Sequence, residues 1–153
     1  MKSIVIYYSR SGNTKAMAER IAADFESDML FVEPRKKYSS YFTSVLTEGK
    51  DLLSGKITTA QTEMPDLSDY DTVFIGFPIW YGDAPSFFLD FISECKLENK
   101  TVIPFASSVS ADIKECKKLY KLLENCTVKH PLNYTKTKKD DYEYWKTLVS
   151  LLK

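Results

Sequence analysis

Ser9-Arg10-Ser11-Gly12-Asn13-Thr14 places three hydroxyls and an amide within six residues, directly after the apolar run Ile4-Val5-Ile6-Tyr7-Tyr8. The run reads as a buried β-strand and Lys15 to Phe25 as a helix, so the polar cluster sits where a strand ends and a helix begins. Free backbone N–H groups and the positive end of the helix dipole meet there, which favours a bound anion. Ser9, Ser11 and Thr14 each offer an O–H and Asn13 an N–H. Gly12 removes the Cβ that would hold a ligand away from the backbone. This donor set suits a phosphate monoester held mainly by neutral groups, with the Arg10 side chain pointing elsewhere. The same residues also suit a plain polar turn in which Ser or Asn caps the helix.

Several phosphate-binding chemistries are excluded by what the loop lacks. It has no Gly-x-Gly-x-x-Gly, which disfavours a dinucleotide fold, and no Gly-x-x-x-x-Gly-Lys-Ser/Thr of a nucleoside triphosphatase. No cysteine precedes Cys95, so the loop is not the thiolate loop of a small tyrosine phosphatase. The first strand does not end in paired acidic residues, which argues against a phospho-accepting receiver domain.

Two further loops carry candidate residues. Pro78-Ile79-Trp80-Tyr81-Gly82-Asp83 follows the apolar run Val73-Phe74-Ile75-Gly76-Phe77. Adjacent exposed Trp and Tyr suit stacking on a planar heterocycle, with Gly82 letting the backbone approach the ring edge. Packing of one of them against the next helix is the alternative. Ser107-Ser108-Val109-Ser110 follows Thr101-Val102-Ile103-Pro104-Phe105-Ala106. Its hydroxyls and backbone groups could bond a polar ring edge, or simply cap the helix beginning near Ala111.

The elements that must position these loops are legible as alternation. Strands are expected at about Ser3–Tyr8, Asp28–Glu33, Val73–Phe77, Thr101–Ala106 and Cys126–Lys129. Met17, Ile21 and Phe25 give the first helix its apolar face. A second helix is expected across roughly Ser40–Ser54, weakened by Gly49. A third opens at Asp83-Ala84-Pro85, with Pro85 in the first turn. A fourth carries Ile113, Cys116, Tyr120 and Leu123. The last carries Tyr144, Trp145, Leu148 and Leu152 behind a cap at Asp140 or Asp141. Alternating strands and helices require a parallel sheet covered on both faces, and right-handed crossovers make a doubly wound α/β sheet the simplest solution. In such a sheet ligands bind beyond the carboxyl ends of the strands, beside strand one, where the three loops converge.

Bulk properties bound the function. The 153 residues read as one domain, long enough to bury about 70% of the unfolded surface. Twenty-one basic and 21 acidic residues cancel, so no global field favours nucleic acid, an acidic partner or an anionic membrane. Cys95, Cys116 and Cys126 lack metal-ligand spacing and read as reduced thiols of a cytoplasmic protein. No signal peptide and no apolar run of about 20 residues is expected. His130, the single histidine, reads as structural or solvated, and Lys136–Asp141 as a solvated loop. Arg35-Lys36-Lys37 is too short for a nucleic-acid claim. Tyr38, Tyr41 and Phe42 suit either a flap near the site or packing of the second helix. Neither a metal site nor a Ser-His-Asp triad is expected.

The chain resembles flavodoxins and flavodoxin-like FMN proteins. The resemblance is carried by Tyr8-Ser9-Arg10-Ser11-Gly12-Asn13-Thr14, by Asp69-Tyr70-Asp71-Thr72-Val73-Phe74-Ile75-Gly76-Phe77-Pro78-Ile79-Trp80-Tyr81-Gly82, and by Thr101–Ala106. It implies a five-stranded parallel sheet in the order 2-1-3-4-5, of the short-chain type. It implies that Ser9, Ser11, Asn13 and Thr14, with Arg10 and Gly12 in the same loop, hold the phosphate of FMN. Pro78, Ile79, Trp80, Tyr81 and Gly82 would contact the flavin ring, and Ser107, Ser108 and Val109 would close over it. Two departures stand out. The third loop, often rich in glycine in relatives with this second loop, contains none here. The chain is also neutral, where electron-carrier flavodoxins tend to be acidic, so docking on a basic reductase should be weaker.

The expected function is electron transfer by FMN between a reductase and an acceptor protein, or to a small-molecule acceptor, with no side chain needed as catalytic acid or base. Two alternatives are an FMN-dependent NAD(P)H:quinone-type oxidoreductase and a flavin-free member of the fold.

Overall fold

The computed structural model describes residues 2–35, 46, 48–50, 53, 59–135 and 141–152. Its strands are β1 (Ser3–Tyr7), β2 (Asp28–Phe31), β3 (Thr72–Pro78), β4 (Thr101–Ser108), β5 (Thr127–Val128) and β6 (Leu132–Thr135). Its longer helices are α1 (Asn13–Phe25), α2 (Ser86–Glu94), α3 (Lys117–Leu122) and α4 (Tyr142–Ser150), with a single 3₁₀ turn at Ile113–Glu115. Leu46, Glu48, Gly49, Lys50 and Leu53 are helical, as the expected second helix requires. Tyr38, Tyr41 and Phe42 lie outside the described residues, as does most of the Lys136–Asp141 loop.

The sheet runs β2-β1-β3-β4-β5 and every pairing is parallel. The expected doubly wound α/β order 2-1-3-4-5 is therefore the observed one. Its fifth position is filled twice. β5 pairs with Thr101 and Val102, and β6 then pairs with Phe105 to Ser108 of the same strand. Between them His130 turns left-handed at φ 40°, and its carbonyl accepts a 2.6 Å bond from Trp145 Nε1. Pro131 cannot donate to the ladder, so the strand breaks there and resumes with Leu132. This second half, not anticipated from the sequence, brings Asn133 and Tyr134 to the carboxyl end of the sheet.

Alternate side chains of each strand feed two cores. Ile4 and Ile6, with Val73, Ile75 and Phe77, pack on Phe87, Phe88 and Ile92 of α2. Val5 and Tyr7, with Phe74 and Phe105, pack on Met17 and Ile21 of α1 and on Trp145 and Val149 of α4. This is the signature of a sheet buried on both faces, and it explains why β1 is buried at all five positions. Gly76 has a packing reason: a Cβ there would lie 2.0 Å from Phe105 Cζ. α4 is tied to α1 at the surface, where Asp24 accepts from the Tyr142 hydroxyl (2.8 Å) and the Lys146 ammonium (2.5 Å).

The chain leaves β1 toward β2 on one side, while β3, β4 and β5 lie on the other. The loops after β1 and β3 therefore diverge from a crevice at the carboxyl edge of the sheet, where such folds bind ligands.

Candidate functional site at the carboxyl edge of the sheet

The first loop is shaped by Gly12. It is the residue preceding α1 and adopts φ 95°, with no atom within 4 Å of where a Cβ would stand. Among the described residues no side chain caps α1, whose cap residue is this glycine. Its first-turn amides are thus left for an external acceptor, and the expected Ser or Asn cap is not used. Gly12 N–H instead donates to Ser9 Oγ (3.1 Å), and Asn13 Nδ2 donates to Ser11 Oγ (3.3 Å). Both serine oxygens act as acceptors in these bonds, so their own O–H groups are available to an anion. Thr14 is placed differently from Ser11 and Asn13. It is buried, and its hydroxyl shares a 2.7 Å bond with Ser107 Oγ that joins the first loop to the third.

The second loop is a two-residue hairpin. Trp80 N–H donates to the Asp83 carbonyl (2.8 Å) and Asp83 N–H to the Trp80 carbonyl (3.2 Å). Tyr81 and Gly82 between them have φ of 51° and 77°, the paired left-handed conformation of tight hairpin turns. Gly82 takes this without strain and Tyr81 does not. The two aromatics part company here. Trp80 is only 7% exposed and packs edge-on against Tyr8 at 5.7 Å, while Tyr81 is 59% exposed. Of the two, Trp80 is the one whose edge lines the crevice.

Asp83 fixes this turn to the element after the third loop. Its Oδ1 accepts from Ala84 N–H (2.9 Å) and Leu119 N–H (3.2 Å), and its Oδ2 accepts from Lys118 N–H (2.7 Å). A carboxylate only 8% exposed is thus satisfied by backbone donors at the start of α3. Cys116, at the same junction, has its thiol pushed up to about 12 by burial first, with Asp83, Asp112 and Glu115 adding to it. It is inert rather than reactive.

The third loop is held by side chains. Ser108 O–H donates to the Ala111 carbonyl (2.7 Å), which also receives Asn133 Nδ2 (3.3 Å), while Asn133 Oδ1 accepts from Ile113 N–H (3.2 Å). Ile79 N–H donates to the Ser107 carbonyl (2.9 Å), tying the second and third loops together. No residue of Ser107–Ala111 has a positive φ, so the absence of glycine there needs no compensation.

These loops enclose a cavity of about 270 Å³. Arg10, Ser11 and Asn13 form one wall, Pro78, Ile79 and Trp80 a second, and Ser107, Ser108 and Val109 a third, with Tyr134 of β6 completing it. The structure thus brings nine of the fourteen predicted site residues to one cavity. Ser9, Gly12, Thr14, Tyr81 and Gly82 belong to the same loops but do not line it. Sequence reasoning missed Asp83, Asn133 and Tyr134. The apolar–polar alternation of Leu132-Asn133-Tyr134-Thr135 was the available signal for the last two. Among the described residues no group of three or more acidic, His or Cys side chains could hold a metal.

A family model described as Flavodoxin matches residues 2–147. The chain belongs to the flavodoxin family. Among solved structures, candidate flavoproteins of Bacteroides uniformis ATCC 8492 and Bacteroides eggerthii DSM 20697 share its fold with TM-scores of 0.78 and 0.77. The first is 26% identical, with 97% of each chain covered. The second is 25% identical, with 97% of this chain and 96% of that chain covered. A flavoprotein of Lactobacillus acidophilus NCFM, solved in complex with FMN, superposes at a TM-score of 0.72. It is 21% identical, with 94% and 97% coverage. No curated protein matches the sequence. The flavodoxin fold accounts for the position of all three loops, since each follows a β-strand at the sheet's carboxyl edge. No helix among the described residues is long and apolar enough to cross a membrane.

Proposed function

We propose that this flavodoxin-family protein holds FMN in the cavity between its three loops and carries electrons between redox partners. The observation that carries the reading is the N-terminus of α1, left uncapped by its left-handed Gly12, with Ser11 and Asn13 lining a cavity that Trp80 and Tyr134 also wall. This donor set fits a phosphate monoester. Ser9, Ser11, Asn13 and the first amides of α1 would hold the phosphate, while Thr14 braces that loop against Ser107. Ile79, Trp80, Ser108, Val109 and Tyr134 would contact the flavin ring. Bound FMN supplies one- and two-electron chemistry that no side chain of this protein provides. The chain's own part is to orient the ring and fix the surrounding dipoles through the Trp80–Asp83 hairpin.

The cavity lies just under the roughly 300–1,000 Å³ typical of sites that bury a small ligand fully. A flavin here would keep an exposed edge, as a carrier docking on a reductase and an acceptor requires. A small-molecule acceptor would reach the same edge. Three unpaired cysteines, two of them buried, suit the reducing cytoplasm.

Stopped-flow mixing of the FMN-loaded protein with NADH or NADPH tests the carrier reading. Direct flavin bleaching should be very slow, and a reductase should accelerate it. Saturable bleaching with multiple turnovers on a quinone would make the protein an NAD(P)H-dependent oxidoreductase instead.

A further inference from the structure

Gly49 lies in the helical turn at residues 48–50, between β2 and β3, and contributes nothing to the cavity wall. A Cβ on Gly49 would stand 2.9 Å from Tyr81 Oη and 3.5 Å from Tyr81 Cζ. The phenol end of Tyr81 therefore rests on the Gly49 backbone. The neighbouring Glu48 is 2% exposed and fastens this turn to the start of α2. Its Oε1 accepts from both the N–H (2.9 Å) and the O–H (2.6 Å) of Ser86. Its Oε2 is buried and has no hydrogen-bond partner among the described residues. A buried, half-satisfied carboxylate is costly, and such groups occur where position matters more than stability.

Tyr81 needs such support. Its φ of 51° is a backbone conformation that residues with a Cβ resist, and it persists only where the surroundings over-determine it. The Trp80–Asp83 hydrogen bonds fix one side of the turn and the Gly49 contact fixes its exposed ring.

We propose that Glu48 and Gly49 form a seat for the Tyr81 ring, and are positioning residues for the second loop at the mouth of the flavin cavity. The inference rests on the reading of that cavity as an FMN site. The seat acts through Tyr81 and touches no ligand itself. A residue with a side chain at position 49 pushes the ring off its seat and turns the hairpin backbone beside Trp80.

The test is a cycle of four proteins: wild type, Gly49→Ala, Tyr81→Phe and the double variant. Gly49→Ala should weaken FMN binding about tenfold and move the flavin midpoint potential. The melting temperature of the flavin-free protein should not fall, because alanine suits a helical turn and the Tyr81 residue it displaces is already 59% exposed. The double variant should match Tyr81→Phe alone, since without the hydroxyl the closest contact is an ordinary 3.5 Å. Wild-type affinity and potential in Gly49→Ala, or a double variant that keeps the Gly49→Ala defect, would overturn the seat. If the wild type binds no FMN, the cavity reading fails separately. The amide resonances of Gly82 and Asp83 in the flavin-free protein then decide: shifts in Gly49→Ala that revert in the double variant support the seat, and unmoved resonances overturn it.

Discussion

Replacing Asp83 probes the junction on which the second and third loops depend. In Asp83→Ala the N–H groups of Ala84 and Leu119 lose their acceptor, and these residues are 2% and 0% exposed. Each orphaned buried amide costs about 1–3 kcal/mol. The N–H of Lys118 also loses its 2.7 Å bond, but that residue is exposed and water replaces the carboxylate. The expected total is about 3–4 kcal/mol. Asp83→Asn keeps one oxygen for Ala84 and Leu119 but turns an NH₂ toward Lys118 N–H, so its cost should be about 1–2 kcal/mol. Urea denaturation of the flavin-free proteins measures both, because bound ligand would raise apparent stability. With a slope near 2 kcal/mol/M, Asp83→Ala should lower the midpoint by roughly 1.5–2 M and Asp83→Asn by roughly half that. FMN affinity should fall in the same order. Equal losses in the two variants, or a loss under about 1 kcal/mol in Asp83→Ala, would show that the carboxylate does not hold the loops together.

Asn13→Ala should cost FMN binding about 1.5–3 kcal/mol while leaving riboflavin binding unchanged, and equal titration curves for the two flavins would refute the phosphate assignment. Gly76→Ala drives a methyl group into the Phe105 ring, whose nearest atom lies 2.0 Å away, and should cost about 1–3 kcal/mol or more in thermal unfolding. Adding Phe105→Leu should restore part of the loss. The Asp24 carboxyl is held below its ordinary value, first by the Lys146 hydrogen bond and then by that of Tyr142. A depressed carboxyl contributes stability that is complete above the unfolded value, about 3.9, and is lost as pH falls through the lower folded one. Asp24→Asn should therefore destabilise the protein at pH 7 by a small amount, since the group is largely solvated, and flatten the acid limb of a stability–pH profile.

The covered parallel sheet was legible because continuous apolar runs such as Ile4–Tyr8 and Val73–Phe77 can be buried on both faces only there, while its order 2-1-3-4-5 came from the resemblance to flavodoxins. The first loop was legible because its chemistry is local: Gly12, Ser9 and Asn13 bond within four residues of one another. What depended on distant partners was not. That Trp80 turns inward follows from Tyr8, 72 positions earlier in the chain, against whose ring it packs edge-on. Thr14 reads as an open donor until β4 places Ser107 beside it. Ile113, Cys116, Tyr120 and Leu123 carry the period of one helix, yet Asp112 and Asp83 take the amides of Lys114, Lys118 and Leu119 and divide it into a 3₁₀ turn and α3. His130 and Pro131 read as the end of the sheet, whereas a single left-handed residue there lets β6 rejoin β4.

Titration of FMN with the flavin-free protein, followed by flavin fluorescence, tests the central claim most directly. The account predicts saturable quenching at one FMN per chain, as the ring enters the cavity beside Trp80 and Tyr134. Fluorescence that stays unchanged at excess protein would contradict it and leave a flavodoxin fold without its flavin.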